Sequence, residues 1–247
     1  MRFRSNNPVY SRIRKMGLEG VGYETATYRG VAGKSLYFTL LVLLGAFIGI
    51  FLFNTNVEML GSLLPVAIIG GFISAIVAFI FPNATKIAGT IYALCEGLLV
   101  GLISFIFEAV YQGIVFTAIL GTVSVLFIVS TLYFTRIVKV NGKFTRFLLI
   151  FSLSVIFSQL IFWILSLIFP SVFGPLLVNY QMSILSSVVM IFLASLYLMF
   201  DLENIRQIVE GGQPKSLEWF AAFGLVYTVI WLYLEVLQLI AKIAKDR

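Results

Sequence analysis

Seven stretches of this chain are apolar for long enough to cross a lipid bilayer, and that repetition limits the fold more than any single motif. The runs are Leu36–Phe53, Gly61–Phe81, Ile87–Phe107, Gly113–Phe134, Phe147–Phe169, Met182–Phe200 and Trp219–Ala241. Each approaches the roughly 20 residues that a helix needs to span hydrocarbon. Short polar connections separate them: "NTNVE", "PNATK", "EAVYQ", "TRIVKVNGKFTR", "PSVFGPLLVNY" and "DLENIRQIVEGGQPKSLE". In lipid a segment must satisfy its own backbone polar groups, so each run predicts a helix. Short connections predict that consecutive helices are antiparallel neighbours. The expected fold class is all-α: a polytopic membrane protein with seven transmembrane helices over residues 36–247, preceded by a basic tail, residues 1–35.

Composition supports lipid as the surrounding solvent. The chain is 60% hydrophobic and 11% charged, against about 45–50% and about 25% in a soluble domain. The isoelectric point of about 9.5 does not indicate nucleic acid as a partner, because the positive charge sits in the tail and alternate connections. The tail holds Arg2, Arg4, Arg12, Arg14, Lys15, Arg29 and Lys34. Lys86 lies in the second connection, Arg136, Lys139, Lys143 and Arg146 in the fourth, and Arg206 and Lys215 in the sixth. The first, third and fifth hold none. Cytoplasmic loops carry the excess of Lys and Arg, which places the N-terminus in the cytoplasm. Seven crossings then leave the C-terminus outside, where Lys242, Lys245 and Arg247 run against the rule. A seventh helix that stops short of crossing would also account for them. Residues 1–35 lack an early apolar core of the signal-peptide kind and read as a mature tail.

Several chemistries drop out. The chain has no histidine, which removes His-based zinc motifs, His general bases and Ser-His or Cys-His nucleophiles. Cys95 is the single cysteine, so no intramolecular disulfide forms. "GKS" at Gly33–Ser35 lacks the glycine a phosphate-binding loop needs five positions earlier, where Tyr28 stands. No enzyme activity and no resident cofactor are expected. "GAFIG" (Gly45, Gly49) and "GLLVG" (Gly97, Gly101) are small-xxx-small patterns that let helix backbones approach closely.

Three acids stand where lipid should exclude them: Glu96 within the third run, Asp201 closing the sixth and Glu235 deep in the seventh. A carboxylate near the bilayer centre costs on the order of 3 kcal/mol, so it turns toward the bundle interior. No Lys or Arg lies at matching depth in the sequence. The acids are therefore either neutral and hydrogen-bonded, or they share a proton or bind a cation. Two close carboxylates in low dielectric cannot both ionise cheaply and titrate as a unit; ionised oxygens are also the ligands Ca²⁺ takes. Structural alternatives stand beside these: Asp201 as an interfacial anchor or cap, Glu96 and Glu235 as neutral acids bonded to a Ser or Tyr. Glu203, Glu210 and Glu218 read as a polar loop face, with Arg206 at helical spacing from the first two.

"YALCEGLLVGLISFIFE", "LYLMFDLENI" and "LEWFAAFGLVYTVIWLYLEVLQLI", in this order, resemble the Bax inhibitor family of small multi-pass membrane proteins, in particular a bacterial branch with a longer N-terminal tail. The resemblance covers nearly all of the membrane region. It implies six helices wrapped around a central C-terminal seventh, in a bacterial plasma membrane, and a pH-sensitive Ca²⁺ leak. Carried over by motif, Asp201 and Glu235 are the proton-sensing gate and the Ca²⁺-facing acids, and Glu96 lines the same interior. Glu235 stands where the family usually has Asp, and it lies 34 residues after Asp201, about ten more than the family's usual separation. Glu96 is therefore an alternative neighbour for either acid. The rival expectation is a non-conducting scaffold that regulates another membrane protein, such as a membrane protease, through the basic tail. A small-molecule transporter is less favoured, for want of paired interrupted helices or an inverted repeat.

Overall fold

A computed structural model describes residues 24–172 and 179–245 of the protein. The tail residues from Arg2 to Lys15, and Arg247, lie outside them. Each apolar run forms an α-helix: α1 (Tyr28–Thr55), α2 (Val57–Ile80), α3 (Thr85–Val110), α4 (Ile114–Phe134), α5 (Gly142–Ile168), α6 (Tyr180–Glu210) and α7 (Leu217–Lys245). All seven are long and apolar enough to cross a membrane. Among the described residues there is no strand, only an isolated antiparallel bridge between Thr25 and Pro214. The chain is thus a multi-pass helical membrane protein.

The helices outrun the apolar stretches at several ends. Helix α1 begins at Tyr28, ahead of Leu36, and α6 continues past Phe200 to Glu210. A lipid-facing pattern marks where hydrocarbon touches the helix, but the backbone ladder runs on until a cap stops it. Those caps are in the polar connections. Thr27, Asn56, Asn141 and Asn179 each accept a backbone N–H from the first turn of α1, α2, α5 and α6, the usual work of a short polar side chain at a helix start. Helix α7 is unbroken for 29 residues, about 43 Å at 1.5 Å per residue, which is long enough to cross.

Helix α7 is the central element. Half of its most apolar stretch is buried (50%), against 11% for α5. It packs on α1, α2, α3, α4 and α6, whereas α5 packs closely on α6 alone. Five helices, rather than the expected six, therefore surround α7, and α5 is attached through α6. Consecutive helices are also not always neighbours: α4 and α5 do not pack together, and the most extensive interface joins α1 to α3. These two run parallel, each starting at the same end of the bundle.

Glycine explains that preference. Gly45 and Gly49 of α1 lie against the Leu94–Leu98 backbone of α3, while Gly97 lies against Val42 and Gly101 against Ala46. A Cβ on Gly101 would fall 2.5 Å from the Ala46 Cα, and one on Gly49 would fall 2.8 Å from the Leu98 carbonyl oxygen. Helix pairs gain little from apolar burial inside lipid, so close backbone contact supplies the association.

Candidate functional site

Asp201 lies on α6 nine residues before its end at Glu210, about 14 Å along the helix axis. Its Oδ2 accepts a hydrogen bond of 2.6 Å from the Thr228 hydroxyl on α7. One turn earlier on α7, a Cβ at Gly224 would sit 3.3 Å from Asp201 Oδ1. Glycine there lets the α7 backbone close on the acid, and threonine supplies the donor. No other hydrogen bond or ion pair to Asp201 exists among the described residues. The residue lines a cavity of about 490 Å³ bounded by α2, α5, α6 and α7. That cavity exists because α5 leaves α7 uncovered on this side.

Glu96 lies eleven residues into α3, about 16 Å along its axis and so near the depth of Asp201 and Thr228. It is half-buried and makes no hydrogen bond among the described residues. One turn before it on α3 stands Tyr92, whose ring centroid lies 5.5 Å from that of Tyr227 on α7. Tyr227 also lines the Asp201 cavity. The order Glu96, Tyr92, Tyr227, then Thr228 with Asp201, crosses the bundle from α3 through α7 to α6 as a discontinuous polar thread.

Glu235 occupies a different environment. It follows Thr228 by seven residues, about 10 Å further along α7, and accepts a hydrogen bond of 3.2 Å from the Trp231 indole N–H. The Lys242 ammonium acts on it electrostatically and turns inward, donating to the Ser187 hydroxyl at 2.7 Å and the Ser183 carbonyl at 3.2 Å. Lys242 stands two turns further along the same side of α7, about 10 Å deeper, and among the described residues no ion pair joins it to Glu235. Asp201 and Glu235 share no hydrogen bond. Thr228 takes the position beside Asp201 that motif analogy gave to Glu235. A threonine inside the seventh apolar run was the available signal, together with glycine one turn before it.

The acids read as a polar loop face split into two groups. Glu210 is exposed. Glu203 is buried and binds the Arg206 guanidinium at 2.6 and 2.9 Å, the Tyr133 hydroxyl at 2.9 Å and the Gln207 amide at 3.0 Å. Glu218 is fully buried at the start of α7, accepting from the Thr27 N–H at 2.8 Å and pairing with Lys34. A Cβ on Gly30 would overlap its carboxylate. Residues 24–27 are strapped to the α6–α7 connection by Ala26 N–H to Gln213 (2.8 Å) and Lys215 N–H to Glu24 (2.9 Å). On the surface of this strap the Glu24 carboxylate, 2.5 Å away, holds the Lys215 ammonium above its ordinary 10.5. Sequence could not place Lys34 beside an acid 184 positions away.

Among the described residues no group of three or more His, Cys, Asp or Glu side chains is placed to hold a metal ion. Asp201 and Glu235, the two acids offered as Ca²⁺ ligands, are not brought together, and a full Ca²⁺ shell takes about six to eight oxygens. Over residues 7–245 the chain matches the family model described as Bax inhibitor 1 like. No curated protein matches it.

Proposed function

The chain belongs to the Bax inhibitor 1 like family, and on that premise we propose that it forms a cation leak pathway, for Ca²⁺ as cargo, gated by protonation of intramembrane carboxylates. The observation that carries this reading is the Asp201–Thr228 hydrogen bond, which joins α6 to α7 beside an open cavity. When Asp201 is ionised the bond is charge-assisted, roughly twice as strong as a neutral one. It then ties α6 to the central helix and keeps the interior closed. Protonation removes the charge, weakens the tie and lets α6 part from α7. Asp201 is the sensor, with Thr228 as its partner; Glu96, at the same depth across the Tyr92–Tyr227 pair, is the next acid on the route. Glu235, deeper and held by Trp231, provides a further station. The strapped end of the bundle, rich in Lys and Arg, faces the cytoplasm in a bacterial plasma membrane. No resident cofactor and no catalytic step are involved.

The test is Ca²⁺ flux into proteoliposomes between about pH 6 and pH 8. Flux should rise as pH falls. Asp201→Asn should flatten the pH dependence, and Thr228→Val should raise flux at the alkaline end by weakening the tie. Glu96→Gln and Glu235→Gln should lower conductance. A pH profile for Asp201→Asn that matches the parent refutes the gate.

The strap favours a second reading. Residues 24–27 root the tail on the start of α7, so a partner that grips the tail pulls on the central helix. A non-conducting regulator of a membrane protease would work through that lever. Deleting residues 1–23 should then abolish co-purification with the protease while leaving Ca²⁺ flux, if any, unchanged.

A further inference from the structure

We propose that the cavity beside Asp201 binds a protonated organic amine with a compact apolar body, entering sideways from the lipid between α2 and α5. Among the described residues Asp201 is the only charged side chain lining this space. One of its oxygens is engaged by Thr228; Oδ1 accepts no hydrogen bond. The Asn204 amide, which also lines the cavity, has no hydrogen-bond partner among the described residues. The walls near these polar groups are aromatic: Tyr197, Phe200, Phe220, Tyr227 and Trp231. A carboxylate amid aromatic faces is the arrangement that recognises ammonium, through an ion pair and cation–π attraction. Aliphatic side chains complete the lining, and Phe79 on α2 and Ile156 on α5 are both exposed. The volume of about 490 Å³ lies within the range of small-molecule sites, roughly 300–1,000 Å³.

Other occupants fit the lining less well. An acyl chain alone would leave Asp201 Oδ1 and the Asn204 amide without partners, which burial penalises. An anion would meet a carboxylate with no Lys or Arg in the lining. A bare divalent ion would find one carboxylate and a few neutral oxygens, short of its usual shell. The inference stands apart from ion conduction, because binding is read directly.

The probe is tritiated 1-aminoadamantane, with neutral 1-adamantanol as its uncharged counterpart, on the full chain in phosphatidylcholine nanodiscs. The amine should bind saturably and at least tenfold more tightly than the alcohol. Asp201→Asn should remove that preference, lowering amine affinity at least tenfold and leaving the alcohol unchanged. Ile156→Trp, at the mouth on the loosely packed α5, should weaken both ligands. Amine and alcohol binding alike, or amine affinity unmoved by Asp201→Asn, overturns the proposal. If Asp201→Asn does not fold, Ile156→Trp decides: retained amine binding refutes the site, and loss supports it. Flux measured on the same variants keeps this outcome separate from that of the leak reading.

Discussion

Replacing Gly97 with alanine tests whether the α1–α3 seam holds the bundle together by backbone contact. A Cβ at Gly97 would stand 2.8 Å from the Val42 Cα and 2.9 Å from its carbonyl carbon, where unstrained carbon pairs sit at about 3.5–4.0 Å. The obstructing atoms are backbone, so no side chain can rotate away. Helices α1 and α3 must separate by about 1 Å, and overpacking of this kind costs about 1–3 kcal/mol. Alanine's better helix propensity offsets up to about 1 kcal/mol. With the full offset the expected net loss is about 0–2 kcal/mol, and relative to a glycine whose alanine meets no obstruction it is about 1–3 kcal/mol. Gly61→Ala is the matched control, because a Cβ there meets nothing within 4 Å; it should be neutral or slightly stabilising. Adding Gly101→Ala to Gly97→Ala should cost less than its single effect, since the first substitution has already opened the shared seam. Equilibrium unfolding of the purified protein in bicelles, followed by steric trapping, reads all four variants. Stabilities of Gly97→Ala and Gly61→Ala that agree within about 0.3 kcal/mol would refute the seam.

The strap at the start of α7 makes two coupled predictions. Glu218→Ala removes the ion-pair partner of Lys34 and the acceptor of the Thr27 N–H and should destabilise by on the order of 3 kcal/mol in the same assay; Gly30→Ala should be strongly destabilising in the parent and nearly neutral in Glu218→Ala, where the colliding carboxylate is gone. Tyr133→Phe removes one of the donors to Glu203 and should cost about 1 kcal/mol, seen as a lower denaturant midpoint; no change would mean that the buried acid is satisfied without it. Lys215→Met should have a small effect that salt abolishes, because the pair with Glu24 is exposed. Since the Lys215 pKa is raised in the folded state, the contribution of the pair is fully present below the ordinary lysine value of 10.5 and fades as pH rises through the raised one. The parent–variant difference should therefore be constant from about pH 6 to pH 9 and shrink only in stronger alkali.

Sequence alone determined the class of fold, the number of spans and the identity of the anomalous acids. Those properties follow from local quantities: apolar runs measured against bilayer thickness, and the cost of a carboxylate in hydrocarbon, which is the same wherever the helix ends up. Glu96, Asp201 and Glu235 stand out for that reason. Only the tertiary structure decided who neighbours whom. In lipid every outward face is apolar, so hydrophobic pattern does not say which face meets which helix. Nothing in the runs told α1 to prefer α3, or left α5 hanging from α6 with a cavity behind it. Asp201 found Thr228 instead of Glu235 because depth along α7 is set by where that helix begins, and the Lys34–Glu218 latch fixes that beginning. Glu218 and Glu203 read as solvated for the same reason: burial at a helix end depends on partners far away in the chain, and a one-dimensional pattern carries no record of them.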